Sequence, residues 1–301
     1  MAGEEITLED LRREIDRIDD SLHDLLMLRA ELVEQVRILK SDAGGEFYRP
    51  AREAEIVRRL VARHRGAFPK SVLVRIWREI MSALVRLQGP FAVAVWQPEN
   101  ELGYRDLARD HFGGDTPLDG HQGPRGVIHA VAQGEVTVGV LPLPQSGDAD
   151  PWWPVLGGQA EDRLSIVGRL PFGALENGRT ALVVGRSRQA RTGADHSYIL
   201  IDTTGAISGN SISQKLSETG LMPEFITSWA GRETPPEPMF LVEIPDFVAE
   251  DDARVVALRD ALGEAVRAIS VIGGFALPLR AIDLQPVPSG SGAGGAAEVR
   301  P

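Results

Sequence analysis

The sequence predicts a multidomain chain in which an all-α three-helix region is followed by an α/β lobe and then by a βαββαβ unit of the ferredoxin-like type. Residues 1–90 place apolar side chains at helical spacing, with only two short interruptions. After residue 90, short β-branched runs alternate with helical segments. From about residue 195, these runs follow the order strand, helix, strand, strand, helix, strand.

The first helix is expected from residue 7 to about residue 40, with Thr7 and Asp10 forming a capping box at its start. The stretch contains neither Gly nor Pro, and its apolar residues recur every three or four positions, as in a coiled coil. Second and third helices are expected at about 50–64 and 69–88. The apolar positions of the first helix are Leu11, Ile15, Ile18, Leu22, Leu25, Leu32, Val36 and Leu39.

Three units are expected after the helices. Residues 91–190 should form the α/β lobe, with helices at 104–112 and 124–132. Residues 195–282 should form the βαββαβ unit, whose second helix is expected at about 253–266. Residues 283–301 are rich in Pro, Gly, Ala and Ser and are expected to be a disordered tail. The strands expected in the lobe are FAVAVW (91–96), VTVGVLPL (136–143), LSIVGRL (164–170) and TALVVG (180–185).

Composition argues against several classes of function. The chain has no cysteine, and its six histidines lack the spacing of a metal site, so no metal is expected. Its apolar runs are too short to span a bilayer and its first residues are acidic, so we expect a cytoplasmic protein without membrane contact. Residues 1–90 carry 16 basic and 16 acidic side chains, so the net charge of −11 lies in the rest and argues against nucleic acid.

Arg29 interrupts the apolar seam of the first helix, four residues after Leu25 and three before Leu32. An unpaired guanidinium is costly in such a seam, so an anion should meet it. A buried glutamate is one alternative. Lys40 lies near the same face of the helix, and Arg52 and Gln88 belong to the other two helices. Several cations and an amide converging on a helical interior favour a small dianion over a single protein carboxylate.

Residues 8–88 resemble the three helices of the all-α chorismate mutase family. The resemblance is carried by LRREIDRIDDSLHDLLMLRAELVEQVRILK, YRPAREAEIVRRL and RIWREIMSALVRLQ. It implies an isomerase of phenylalanine and tyrosine biosynthesis that converts chorismate to prephenate by an intramolecular [3,3] rearrangement, without a cofactor. Such a reaction is accelerated by holding the reactive conformer and by stabilising the charge that grows on the ether oxygen.

The resemblance also implies roles for individual residues. Arg12, Arg29 and Arg52 would bind the two carboxylates of chorismate. Lys40 and Gln88 would face the ether oxygen, and Glu53 would hold the ring hydroxyl. The chain departs from the family at Arg49, where an acid is frequent, and at Leu84, where a serine is frequent; we expect these departures to alter affinity rather than chemistry.

The spacing of two of these arginines predicts a dimer. Arg12 and Arg29 are seventeen residues apart on one helix, which is about 25 Å along its axis. A molecule the size of chorismate cannot span that distance. If both arginines act in one site, one of them must come from a second subunit, so a homodimer with two shared active sites is expected, in agreement with the interlocked dimer of the family.

The order of units resembles that of the P-protein, in which chorismate mutase is followed by prephenate dehydratase and an ACT domain. Residues 131–147 resemble the dehydratase segment GVVPIENS, but Pro144 and Gln145 replace its Glu-Asn pair. Only residues 173–178 separate Phe172 from Arg179, where dehydratases have a whole second lobe. We therefore expect a degenerate, one-lobed remnant in which dehydratase activity is unlikely.

Residues 195–282 resemble an ACT domain, with Gly-Ala-Ile at 205–207, but Thr-Ser-Trp-Ala at 227–230 replaces its ligand motif. Whether this unit only supports the dimer, binds an amino-acid effector or binds another enzyme of the pathway stays open. Two alternatives to the main interpretation also stay open. One is a bifunctional chorismate mutase–prephenate dehydratase, and the other is a non-catalytic regulatory protein whose first helix is a coiled-coil arm.

Overall fold

A computed structural model describes residues 6–41, 47–99, 103–157, 163–173, 179–205, 207–231 and 237–285. The chain begins with three helices, α1 (Leu8–Ser41), α2 (Pro50–Arg63) and α3 (Lys70–Gln88). Their bounds confirm the three predicted helices to within one residue. Most of the predicted tail, residues 286–301, lies outside the described residues, as does Ala206.

The start of α1 is fixed by the predicted capping box. The backbone N–H of Thr7 donates to Asp10 Oδ2 at 3.0 Å, and the N–H of Asp10 donates to Thr7 Oγ1 at 3.2 Å. Along the rest of α1 the apolar stripe stays exposed in the single chain, with Leu25 62% and Leu32 52% accessible. A helix with a continuous uncovered apolar face lacks the packing that normally stabilises it.

The α/β lobe is built on five strands. They are β1 (Val93–Trp96), β2 (Leu118–His121), β3 (Val138–Pro142), β4 (Ser165–Leu170) and β5 (Ala181–Gly185). Helices α4 (Gly103–Phe112) and α5 (Pro124–Gln133) connect β1 to β2 and β2 to β3. β1 lies between β2 and β3 in parallel, whereas β5 pairs antiparallel with both β3 and β4. The sequence analysis missed β2, because this four-residue edge strand, LDGH, has no apolar alternation.

The last unit has the predicted βαββαβ order. Its elements are β6 (Asp195–Thr203), α6 (Gly209–Glu218), β7 (Phe225–Ala230), β8 (Pro238–Ile244), α7 (Ala253–Leu262) and β9 (Val266–Ala276). The strands lie antiparallel in the order β9-β6-β8-β7.

Two boundaries in this part of the chain were predicted wrongly. Helix α7 was expected to continue to about residue 266, but it ends at Leu262 because Gly263 takes a φ of 54° and its N–H donates to Arg259 O. The disordered tail was expected to begin at residue 283, but residues 283 and 284 belong to a short helix, α8 (Ala281–Leu284). Asp283 caps that helix by accepting from the backbone N–H of Arg280 at 2.8 Å.

The two units share one nine-stranded sheet, which the sequence did not predict. β4 and β9 meet in parallel where Ile166 faces Gly273. Gly273 has a φ of 102°, and a Cβ built there would lie 2.1 Å from Ile166 O. Only glycine therefore permits this close approach of two backbones. Side chains from both units also share one core, among them Leu141, Trp153 and Phe275.

The helices pack on the α/β part through α2 and α3. Val57 and Met81 share a buried apolar cluster with Phe172 and Leu279. Arg58 of α2 donates to Thr192 Oγ1 at 2.8 Å, to Ala194 O at 2.9 Å and to Leu277 O at 2.7 Å. These contacts fasten the helices to segments that flank β6 and β9. None of the helices in the described ranges combines the length and apolar composition that crossing a bilayer requires.

We expect Gly273→Ala to destabilise the protein far more than Gly193→Ala. Gly193 has a similar φ of 88° but has no atom within 4 Å of a built Cβ, so its substitution adds only backbone strain, about 1–3 kcal/mol. At Gly273 the clash with Ile166 O adds to that strain, and a loss of more than about 4 kcal/mol is expected. Urea unfolding monitored by circular dichroism measures both. Equal losses in the two variants would contradict the β4–β9 junction.

Candidate active site

The guanidinium group of Arg29 lies on the apolar seam of α1. Its Nη1 atom is shielded from solvent and has no hydrogen-bond partner in the described part of the chain. Burial lowers the pKa of the Arg29 guanidinium, because removal from water disfavours its charged form. The buried glutamate that the sequence offered as an alternative does not meet this nitrogen among the described residues. The site can therefore accept an anion from outside the chain.

A cavity of about 650 Å³ lies beside the same face of α1. Val36, which lines it, is seven residues after Arg29 and four before Lys40, spacings that place all three residues on one helix face. The first turn of α2, including Arg52, forms a second wall. Cavities of about 300–1,000 Å³ are typical of small-molecule sites.

The structure places Arg52 at the cavity in a weak ion pair. Its Nη1 lies 2.8 Å from Glu55 Oε2, and the two side chains are 64% and 44% exposed. Exposed pairs of this kind contribute little to stability, so a ligand carboxylate can replace Glu55 at low cost. Arg12 lies near the other end of α1, where it forms a loose, exposed contact of 3.9 Å with Glu9.

Two other predicted residues, Lys40 and Gln88, are placed less directly. Lys40 belongs to the last turn of α1, but its side chain lies outside the described residues. The Gln88 side chain is partly buried, and its Nε2 donates to Leu84 O at 3.0 Å within its own helix. That bond uses one of the two N–H donors of the Gln88 amide.

Glu53 faces the α/β lobe and is held by a residue that the sequence analysis did not select. Arg78 of α3 donates to Glu53 Oε2 at 2.8 Å, and both side chains are largely buried. Burial raises the pKa of Glu53, and the charge of Arg78 opposes that rise. The Arg78 guanidinium also lies over the ring of Phe172, 4.9 Å from its centroid. Arg78 lies among the buried apolar positions of α3, four residues after Val74 and three before Met81, and that placement is the signal that could have revealed it.

His111 of α4 completes this buried group. Its Nε2 lies 3.5 Å from Arg78 Nη1. Burial, with the charge of Arg78 as a second cause, lowers the pKa of His111 well below its usual range, so the ring stays neutral. The charge of Arg78 is therefore balanced by Glu53 alone among these neighbours.

Of the six predicted site residues, Arg52 lines the cavity, and α1 contributes Val36 from the face that bears Arg29 and Lys40. The structure does not bring Glu53 or Gln88 there, since each has a partner elsewhere. Arg12 lies about 25 Å from Arg29 along α1, which is too far for both side chains to bind one ligand within a single chain.

We expect Glu53→Gln to lower the free energy of unfolding by about 3–5 kcal/mol, because it leaves the Arg78 charge buried without a counter-charge. The matched control Glu55→Gln breaks the exposed pair with Arg52 and should change stability by about 1 kcal/mol or less. The double variant Glu53→Gln/Arg78→Met should recover most of the loss, because it removes both buried charges. Urea titration of the three variants tests this, and equal effects of the two single substitutions would contradict it.

Comparison with known proteins places the helices in a family. Residues 11–89 match the family model of chorismate mutase type II. The bifunctional chorismate mutase/prephenate dehydratase of Pseudomonas aeruginosa is 33% identical over 147 residues, which cover 46% of this chain and 39% of that protein. The bifunctional enzyme of Aquifex aeolicus is 33% identical over 140 residues, covering 45% of this chain and 38% of that protein. The chain thus spans about two fifths of the length of these relatives.

A solved structure also resembles the chain. The prephenate dehydratase of Streptococcus mutans aligns with a TM-score of 0.46 at 16% identity, covering 62% of this chain and 98% of that chain. The match of residues 11–89 coincides with the three helices that carry Arg29, Arg52 and Gln88. Residues 11–89 therefore form a chorismate mutase type II domain, and the similarity to the bifunctional relatives extends beyond it.

Proposed function

We propose that the chain is a cytoplasmic chorismate mutase that rearranges chorismate to prephenate without a cofactor. The observation that carries the proposal is Arg29, whose shielded Nη1 has no partner in the described chain. The face of α1 that bears Arg29 continues to a cavity lined by Arg52. A substrate with two carboxylates supplies the anion that Arg29 lacks and can replace Glu55 as the partner of Arg52.

The chemistry requires positioning and charge rather than a nucleophile. Arg29 and Arg52 bind the carboxylates, since a guanidinium fork matches a carboxylate bidentately. Lys40 and Gln88 face the ether oxygen and stabilise the negative charge that develops there. Glu53 reaches the ring hydroxyl only after separating from Arg78, so its role requires the largest rearrangement.

The active form that we propose is a homodimer with two shared sites. The exposed apolar stripe of α1 is the surface that a second α1 would cover, since water contact over such a length is unfavourable. Arg12 from the second subunit would then complete the site of Arg29. An isologous pairing of this kind produces two equivalent sites.

We propose that the remaining units, 91–190 and 195–282, serve assembly or regulation. β4 and β5 pair directly, with Leu170 opposite Ala181, so only a short connection separates them. A second lobe of the kind that the dehydratase cleft requires has no place in that connection. We regard residues 91–190 as a prephenate dehydratase-like remnant and residues 195–282 as an ACT-like unit.

The experiment that tests the proposal is chorismate consumption by the full chain, with products analysed before and after acid treatment. Acid converts prephenate to phenylpyruvate without an enzyme. Phenylpyruvate that appears only after acid supports a mutase without dehydratase activity. Phenylpyruvate before acid would favour the bifunctional activity of the relatives, and absence of turnover would favour a non-catalytic protein.

Replacement of Arg29 by Leu should lower kcat/KM for chorismate by a factor of about 10²–10³, the usual effect of losing one transition-state donor. The free energy of unfolding should stay the same or rise, because the substitution removes an unpaired charge from an apolar seam. The control Arg17→Leu makes the same change at a side chain that is 77% exposed and pairs with Glu14. Unchanged activity in Arg29→Leu would show that Arg29 does not bind the substrate. Absence of turnover by the unmodified chain, together with a gain of stability in Arg29→Leu, would identify α1 as a coiled-coil arm.

A further inference from the structure

We infer that the α/β lobe supplies Arg188 to the mutase site as a substrate-binding residue. This inference rests on the proposed function and extends it to the control of affinity by the C-terminal part of the chain. Arg188 follows β5 and lines the same cavity of about 650 Å³ as Val36 of α1 and Arg52 of α2. One cavity thus joins the helices and the lobe.

The charge of the cavity fits a small dianion. Its lining contains three arginines, Arg49, Arg52 and Arg188, and one carboxylate, Glu55. Tyr48 and Phe275 also line the cavity. Cations that surround an apolar wall suit a cyclic molecule with two carboxylates, which is the chemical class of the proposed substrate.

The present partner of Arg188 is easily exchanged. Its Nη1 is paired with Glu250 Oε1, and the two side chains are 60% and 53% exposed. A pair as exposed as this contributes little, so a ligand carboxylate can take the place of Glu250. Glu250 also accepts from Arg163 at 2.7 Å and would keep that partner.

The segment that carries Arg188 is held in place by its neighbour. Gln189 Nε2 donates to His196 O at 2.9 Å, and Gln189 Oε1 accepts from Ser197 Oγ at 3.1 Å. The Gln189 amide thus fixes the segment to β6. This leaves Arg188 as the charged group that the lobe presents to the cavity, on a backbone ordered in advance.

The test is steady-state kinetics of chorismate turnover by the full-length variants. We expect Arg188→Ala to raise KM about tenfold or more, as expected for one lost hydrogen bond to a charged group, and to leave kcat within about twofold. Arg188→Lys should recover part of the affinity, because it restores the charge without the fork. The control Glu250→Gln removes this ion pair, together with the one to Arg163, but keeps Arg188, so its KM should equal or fall below that of the unmodified chain.

Calorimetric titration with prephenate gives a second measurement, in which Arg188→Ala should weaken binding by a similar factor. If Arg188→Ala leaves both KM and prephenate affinity unchanged while Arg29→Leu abolishes turnover, the inference about Arg188 is wrong and the mutase assignment stands. An equal rise of KM in Glu250→Gln would also overturn it, since the ion pair itself would then be responsible. Retained activity in Arg29→Leu would overturn the role of Arg29 in the site, and absence of turnover by the unmodified chain would overturn the proposed function.

Discussion

The shielded positive charge of Arg29 is the constraint on which the account of this molecule depends. A guanidinium nitrogen without a hydrogen-bond partner in an apolar seam is unfavourable unless an anion completes it. The described chain provides no such anion, and the cavity along the same helix face is lined mainly by cations among its charged groups. The unpaired charge of Arg29 is therefore explained if an anionic ligand completes the site.

The rest of the fold holds the helices against the α/β part. Arg78 and Glu53 form a buried ion pair on the lobe side of α2 and α3, and Arg58 donates to three acceptors around β6 and β9. These contacts occupy one face of the helix pair and leave the cavity between α1, the start of α2 and the segment that carries Arg188. If Arg188 binds the substrate as we infer, affinity depends on the position of the lobe.

Much of this architecture follows from local signals, and the remainder depends on contacts between distant residues. Helix bounds followed from the Thr7–Asp10 capping box, from Pro50 and Pro69 and from apolar spacing, and the βαββαβ order followed from the strand runs. The β4–β9 junction could not be predicted, because it depends on the close approach of Gly273 to Ile166 O. No local pattern encodes a partner a hundred residues away. Arg29 could be found in the sequence because it interrupts a regular seam. The placement of Arg78 on the apolar face of α3 carries a similar signal, but its pairing with Glu53 could not be predicted, since that pairing depends on how two helices dock.

The most direct test of a shared site is complementation between two inactive variants. Arg12→Ala and Arg29→Leu homodimers should each lack activity, because every site in them misses one arginine. When equal amounts of the two variants are unfolded together and refolded, half of the dimers should be mixed. Each mixed dimer should contain one intact site of its two, so the mixture should show about a quarter of the unmodified activity. Recovery near that level would support a dimeric mutase that combines Arg12 and Arg29 from different subunits, whereas no recovery would contradict it.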